Sequence, residues 1–329
     1  MRSIGELKEF IRTDMLDKLS EIDNQRKAVL AYGKKLALAV IGYILFIFTI
    51  TKTSSDSGSF VLILIGIAGI GIAIYLWKRK YSAYVEDYKE NIIGRIVKFI
   101  DNSLEYSPSY YIEEDKFLNS NMFNTSPDRY TGSDYVSGKI GYTEIEFSFI
   151  HAQYKTETTY TDDDGHIHTE EHWHTIFKGI FLIADFNKHF NTQVLIWPDR
   201  SINLLKGIKK KFAFLSGWQV INLEDPEFDR YFIAYGEDQI EARYILSTSL
   251  VKRIIDYRKK INKDLYISFK NSNMYVAIPW DYPFSPVLFR SIMNYGLLHE
   301  YYETLSMIIS IVEDLNLNTR IWSKQPVID

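Results

Sequence analysis

The stretch FVLILIGIAGIGIAIYLW, residues 60–77, decides the architecture: it holds no charged side chain from end to end. At ~1.5 Å per helical residue it covers about 27 Å, close to the ~30 Å hydrocarbon core of a bilayer. Working outward, LALAVIGYILFIFTI at residues 36–50 is a second charge-free run. It reaches spanning length when residues 33–51 are helical and Lys34 and Lys35 snorkel. A helix buried in a soluble core rarely lacks a polar face for so long. The sequence therefore predicts a two-helix transmembrane hairpin over residues 33–80.

The flanks orient it. The connecting loop TKTSSDSGS carries one Lys and one Asp, whereas Lys34, Lys35, Lys78, Arg79 and Lys80 sit on the outer sides. Basic residues stay in the cytoplasm, so both termini are expected there, with Tyr75 and Trp77 at the interface. The first span lies behind 32 mostly polar residues, the wrong place for a cleaved signal peptide. Gly66, Gly69 and Ala73 place small residues at i, i+3 and i+7, where another helix can approach closely. They suit either an oligomerisation face or packing against the first span.

Composition excludes other classes. The 329 residues include no cysteine, which removes disulfides, thiolate metal sites and cysteine nucleophiles from this chain. A net charge of -4 and a pI near 6.0 argue against nucleic acid as a partner. Aromatic residues make up 15% of the chain, with 24 Tyr and 20 Phe, which favours aromatic interfaces.

Residues 1–32 read as an amphipathic cytoplasmic helix, with Leu7, Phe10, Ile11, Met15, Leu19 and Ile22 on one face. Residues 81–329 read as the cytoplasmic working domain. It opens with a helix over 81–105 whose stripe is Tyr84, Tyr88, Ile92, Ile96 and Phe99. Period-two segments predict strands at 140–154, 178–186, 192–197, 218–223, 231–235, 265–269 and 274–278, the last two joined by a hairpin at 270–273. Helices are expected at 201–214, 247–261, 284–294 and 297–315. Strands and helices do not alternate cleanly, so the fold class is α+β with a mostly antiparallel sheet, anchored by the hairpin.

The most chemical-looking motif is HIHTEEHWH, residues 166–174. On a strand, His166, His168, His172 and His174 share one face with Glu170, and imidazoles suit zinc or copper. The upstream KTETTYT and the DDDG link at 162–165 suggest that this strand belongs to a hairpin. A protruding hairpin offers little of the supporting shell that metal catalysis needs, so no cofactor is expected and a metal-binding sensor or metal-dependent enzyme is the alternative. No HExxH, GxSxG or Walker loop is present, and no catalytic residue is assigned. The basic run Lys206, Lys209, Lys210 and Lys211 suits a solvated helix face or anionic headgroups. Near the C-terminus, Arg320 and Trp322 need something to pack on: their own domain, a neighbouring subunit or a membrane partner.

Four segments carry a resemblance: RYTGSDYVSGKIGYTEIEFSFIHAQY (129–154), WHTIFKGIFLIADFNKHF (173–190), LEDPEFDRYFIAYGEDQIEARYILS (223–247) and SIVEDLNLNTRIWSK (310–324). With the hairpin, they resemble the bacterial family catalogued as domain of unknown function 3137. The resemblance implies an inner-membrane protein with a cytoplasmic domain and no established activity. It also implies a lead to a LemA-like membrane protein as partner, beside the lipid bilayer and further copies of the chain. The reading is a membrane-anchored binding or scaffold protein.

Overall fold

The computed structural model describes residues 2–53, 57–161, 166–186, 188–199, 217–281, 284, 286 and 288–317. The chain divides into two compact units: Met1–Phe99 with Phe284–Tyr302, and Ile100–Pro283 with Glu303–Asp329. One unbroken helix carries the chain from the polar N-terminal region across 32/33 into the first apolar run, and another runs from the second apolar run across 80/81.

In the first unit, α1 (Ile4–Phe10) starts at Ser3, whose side chain and that of Glu6 cap each other's backbone N–H. A widened π turn over Ile11–Met15 leads into α2 (Leu16–Thr53). The second long helix, α3 (Ser57–Tyr88), passes through another π turn (Lys89–Ile93) into α4 (Gly94–Ile100). The amphipathic stripes are where the sequence puts them: Leu7, Met15, Leu19, Ile22, Tyr84, Tyr88, Ile92, Ile96 and Phe99 are buried. Phe10 stacks on Phe99 at 4.6 Å, and Tyr88 donates to the Tyr301 hydroxyl at 2.5 Å.

The helix expected at 284–294 does not form; described residues 288–294 run as bends and turns. Pro286 lacks a backbone donor and disfavours helical geometry just before it. The irregular path also has a use. The Asp23 carboxylate accepts from Arg26 Nε at 2.8 Å, Ser291 Oγ at 3.1 Å and the Ile292 N–H at 3.3 Å. Arg26 in turn donates to the Leu288 carbonyl at 2.6 Å. A regular helix would consume those backbone groups internally.

The second unit is built on one sheet: β1 (Glu105–Ser107), β2 (Arg129–Ile140), β3 (Thr143–Thr161), β4 (Ile167–Asp185), β5 (Val194–Pro198), β6 (Gln219–Ile221), β7 (Phe232–Gly236), β8 (Tyr266–Lys270) and β9 (Asn273–Pro279). The strands lie in the order β1-β2-β3-β4-β9-β8-β5-β7-β6, and every described pairing is antiparallel. The fold class is therefore α+β with an N-terminal apolar helical hairpin. The expected strand at 140–154 is interrupted: Gly141, at φ 61°, turns the chain between β2 and β3. β2 escaped the period-two pattern because Asp134 also takes a positive φ, and a bulge between Ser133 and Val136 shifts the register.

One face of the sheet buries Ile150, Phe177, Phe181, Ile183, Leu195 and Tyr275 with Phe117 of α5 (Glu114–Asn119). The alternate set, including Phe147, Ile180, Leu182, Ile196, Phe269 and Val276, is equally buried. Helices α6 (Gln239–Ile245), α7 (Thr248–Ile261), α8 (Tyr295–Ile309) and α9 (Ile311–Asp314) complete the described chain. The 247–261 helix is found as expected; α6 was not foreseen and begins at Asp238, whose carboxylate accepts from the Ile240 and Glu241 N–H groups.

Candidate functional site

Three features stand out from the core. The first is the apolar hairpin. Along α2, the half-buried positions are Leu36, Val40, Tyr43, Ile47 and Ile50; along α3 they are Ile63, Gly66, Ile70, Ala73 and Trp77. The alternating three- and four-residue steps mark the seam of two antiparallel helices. The Tyr43 hydroxyl donates to the Ile63 carbonyl, and Trp77 Nε1 donates to the Val29 carbonyl at 3.2 Å. A Cβ on Gly66 would stand 2.1 Å from the Tyr43 ring, so Gly66 belongs to the seam. Ala73 lies on the same side, whereas Gly69 is exposed and a Cβ there would meet nothing within 4 Å. Within the hairpin, Gly66 and Ala73 thus pack in the seam while Gly69, about 60° round the helix from Gly66, stands open. Away from the seam the helices are openly apolar: Leu38 is 70% exposed, Phe60 64% and Ile72 62%. Both helices are long and apolar enough to cross a membrane.

The second feature is a ribbon. Beyond Gly179, β4 leaves its partner β9, and beyond Gln153, β3 leaves β2, yet β3 and β4 stay paired out to Thr161 and Ile167. At ~3.4 Å per residue the eight-residue length from Tyr154 to Thr161 projects about 27 Å. A bulge where Ala152 and Gln153 face Phe177 and Thr175 skips Ile176, which turns His174 toward the face that carries Phe177. His174 stacks on Tyr154 at 4.9 Å and its Nε2 lies 2.9 Å from Thr156 Oγ1; His168 stacks on Tyr160 at 5.4 Å. His172 Nε2 is 3.9 Å from Glu170. His166 stands just before the strand. The histidines share a face but engage cross-strand neighbours, and no group of three or more metal-ligating side chains converges among the described residues. On the opposite face the Arg129 guanidinium covers Trp173 at 3.8 Å, and Lys155 reaches Glu157 at 2.7 Å and Glu171 at 2.9 Å. At the ribbon's base, burial and the charges of Lys178 and Arg129 lower the pKa of His151.

The third feature escaped the sequence reading. Two adjoining grooves of about 740 and 700 Å³ share Lys116, Tyr135 and Glu146. Lys116 Nζ lies 2.6 Å from Glu146 Oε1, and the Tyr135 hydroxyl donates to Oε2 at 2.8 Å. Burial, helped by the Glu146 hydrogen bond and charge, pushes the Tyr135 hydroxyl up to about 12, so it remains a donor at neutral pH. Tyr110 and Tyr111 flank the second groove, with Tyr110 73% exposed. The only sequence signal was the Tyr-Tyr pair beyond Ser107-Pro108, which local periodicity does not connect to Glu146 on β3. Arg320, Trp322, the DDDG link at 162–165 and the basic run at 206–211 lie outside the described residues.

The model of the family described as "Protein of unknown function (DUF3137)" matches residues 175–317. The resemblance read from the sequence is thus shown over the body of β4 and the helices and strands that follow. A comparison with functionally curated proteins finds no match. Among solved structures, the crystal structure of the mycobacterial trehalose monomycolate transport factor A, TtfA, aligns at 13% identity and a TM-score of 0.30. The alignment covers 68% of this chain and 95% of that one.

Proposed function

We propose that the chain is a membrane-anchored binding or scaffold protein of the bacterial inner membrane, crossing it twice with both termini in the cytoplasm. The observation that carries this is the hairpin's outer surface. Its seam is satisfied internally, and what remains is a long, exposed, uncharged apolar surface that water does not tolerate and lipid does. The basic flanks set the orientation.

The domain after the hairpin then works at the membrane surface. Its ribbon and tyrosine-lined grooves are exposed recognition elements, rich in the aromatic side chains that dominate protein interfaces. A second copy of the chain or a LemA-like membrane protein is the partner proposed. The test is alkaline extraction of native membranes followed by sizing of the tagged chain in mild detergent. It should stay with the membrane and elute with a second copy or a stoichiometric membrane partner. Release by alkali would overturn the anchor, and a monomer with nothing bound would overturn the scaffold.

A further inference from the structure

One end of the hairpin carries an unneutralised collar of charge. Gly33 faces Trp77, its added Cβ lying 3.0 Å from the indole nitrogen, which fixes the relative depth of the two helices. Lys34 and Lys35 therefore lie ~1.5–3 Å to the apolar side of that level, and Lys78, Arg79 and Lys80 ~1.5–4.5 Å to the other. All are exposed. The cations occupy a band about 7.5 Å deep, which matches the ~5–7.5 Å headgroup layer on one side of a bilayer. Successive helical residues point ~100° apart, so Lys78, Arg79 and Lys80 together cover an arc of about 200° around α3.

Nothing in the hairpin offsets this charge. No acidic residue lies between Lys27 and Lys52 on α2, or between Phe60 and Val85 on α3. Among the described residues, Lys34, Lys35, Lys78 and Arg79 form no ion pair, while Lys80 sits 5.4 Å over the Tyr32 ring. The first carboxylate past the collar on α3 is Glu86, six residues or about 9 Å of helix beyond Lys80, while Asp23 is held by Arg26 and Lys27, and Asp87 by Lys18. Tyr75, 65% exposed, and Trp77 add aromatic rings at the same depth.

Resting on the membrane-anchor reading, we infer that this collar binds anionic phospholipid headgroups, holding several around the hairpin in preference to zwitterionic lipid. The headgroup phosphates take charge-assisted hydrogen bonds from the collar while their acyl chains lie against the exposed apolar faces. The ligand is a lipid in place, since a free phosphate has no use for those faces.

Native mass spectrometry of the full chain in detergent, with equal phosphatidylglycerol and phosphatidylcholine, tests it. Phosphatidylglycerol adducts should exceed phosphatidylcholine adducts by at least about fivefold, the worth of one such basic residue near an anionic surface. The excess should vanish in the variant carrying K34Q, K35Q, K78Q, R79Q and K80Q, and persist in one carrying K34R, K35R, K78R and K80R. Equal binding by the parent, an excess that survives the Gln changes, or displacement of lipid by soluble glycerol phosphate would overturn the inference. Failure to retain either lipid, with no association with vesicles, would overturn the membrane-anchor reading itself.

Discussion

Asp23→Asn should loosen the first unit more than any other single polar change there. The carboxylate is almost wholly buried, and Arg26, Lys27, Ser291 and the Ile292 N–H all converge on it. Burial pushes its carboxyl up, but these partners more than offset that and hold it well below the usual carboxylate range. Removing the charge leaves the Arg26 guanidinium, only 7% exposed, with the Leu288 carbonyl for company. Breaking one side of a buried pair costs about 3–5 kcal/mol. At 1.4 kcal/mol per factor of ten, local opening becomes about 140-fold to about 3,700-fold more frequent. The chain has no cysteine, so Ile292→Cys supplies a unique and fully buried reporter. Its labelling by a thiol reagent under native conditions should accelerate by that factor when Asp23→Asn is added. Asp23→Leu combined with Arg26→Met should restore much of the protection, because neither charge is then left stranded. The pH dependence has a definite sign. A depressed carboxyl stabilises above its unfolded pKa of about 3.9, and loses that contribution as pH falls through the lower folded value. The gap in stability between parent and Asp23→Asn should therefore hold from pH 7 to 5 and shrink below about pH 4. Labelling that changes less than about threefold would refute the reasoning.

Gly179→Ala should destabilise the second unit by about 3 kcal/mol or more, read from its unfolding midpoint, since the new Cβ would lie 2.1 Å from the Ile278 carbonyl and 2.8 Å from the Trp280 nitrogen. A midpoint unchanged within error would mean that β4 and β9 are not so closely paired there. Replacing His166, His168 and His172 together by Ser should alter stability by less than about 0.5 kcal/mol, as expected of exposed ribbon positions. Stoichiometric zinc or copper in the parent that disappears from this variant would instead favour a metal role. Gly66→Leu should break the hairpin seam and lower the melting temperature in detergent, whereas Gly69→Leu, on an open face, should leave it nearly unchanged; the reverse order would make Gly69 the packing position.

Much of the architecture was legible because it rests on long, simple periodicities. The apolar runs, the stripe from Tyr84 to Phe99 and the alternation through β4 each repeat one pattern over many residues. What the sequence hid depends on single residues that break a pattern. Asp134 and Gly141 take positive φ, so β2 and β3 looked like a loop and one strand. The Ile176 bulge moves the histidines to a face that counting by two does not give. Gly66 and Gly69 lie only about 60° apart on the helix, yet the seam runs through 63, 66, 70 and 73 and leaves Gly69 on its open flank. The tyrosine-lined grooves join α5 to β3 across thirty residues of chain, a juxtaposition made by tertiary packing alone.

The membrane hairpin and its orientation are tested most directly by surface labelling of single-cysteine variants in intact cells. Glu9→Cys and Ser247→Cys are exposed positions in the two units, and Ser55→Cys falls in sequence between the two apolar runs. A membrane-impermeant maleimide should label only Ser55→Cys, and all three once the cells are permeabilised. Labelling of Glu9→Cys or Ser247→Cys in intact cells, or protection of Ser55→Cys with the others, would contradict a two-span anchor with both termini in the cytoplasm.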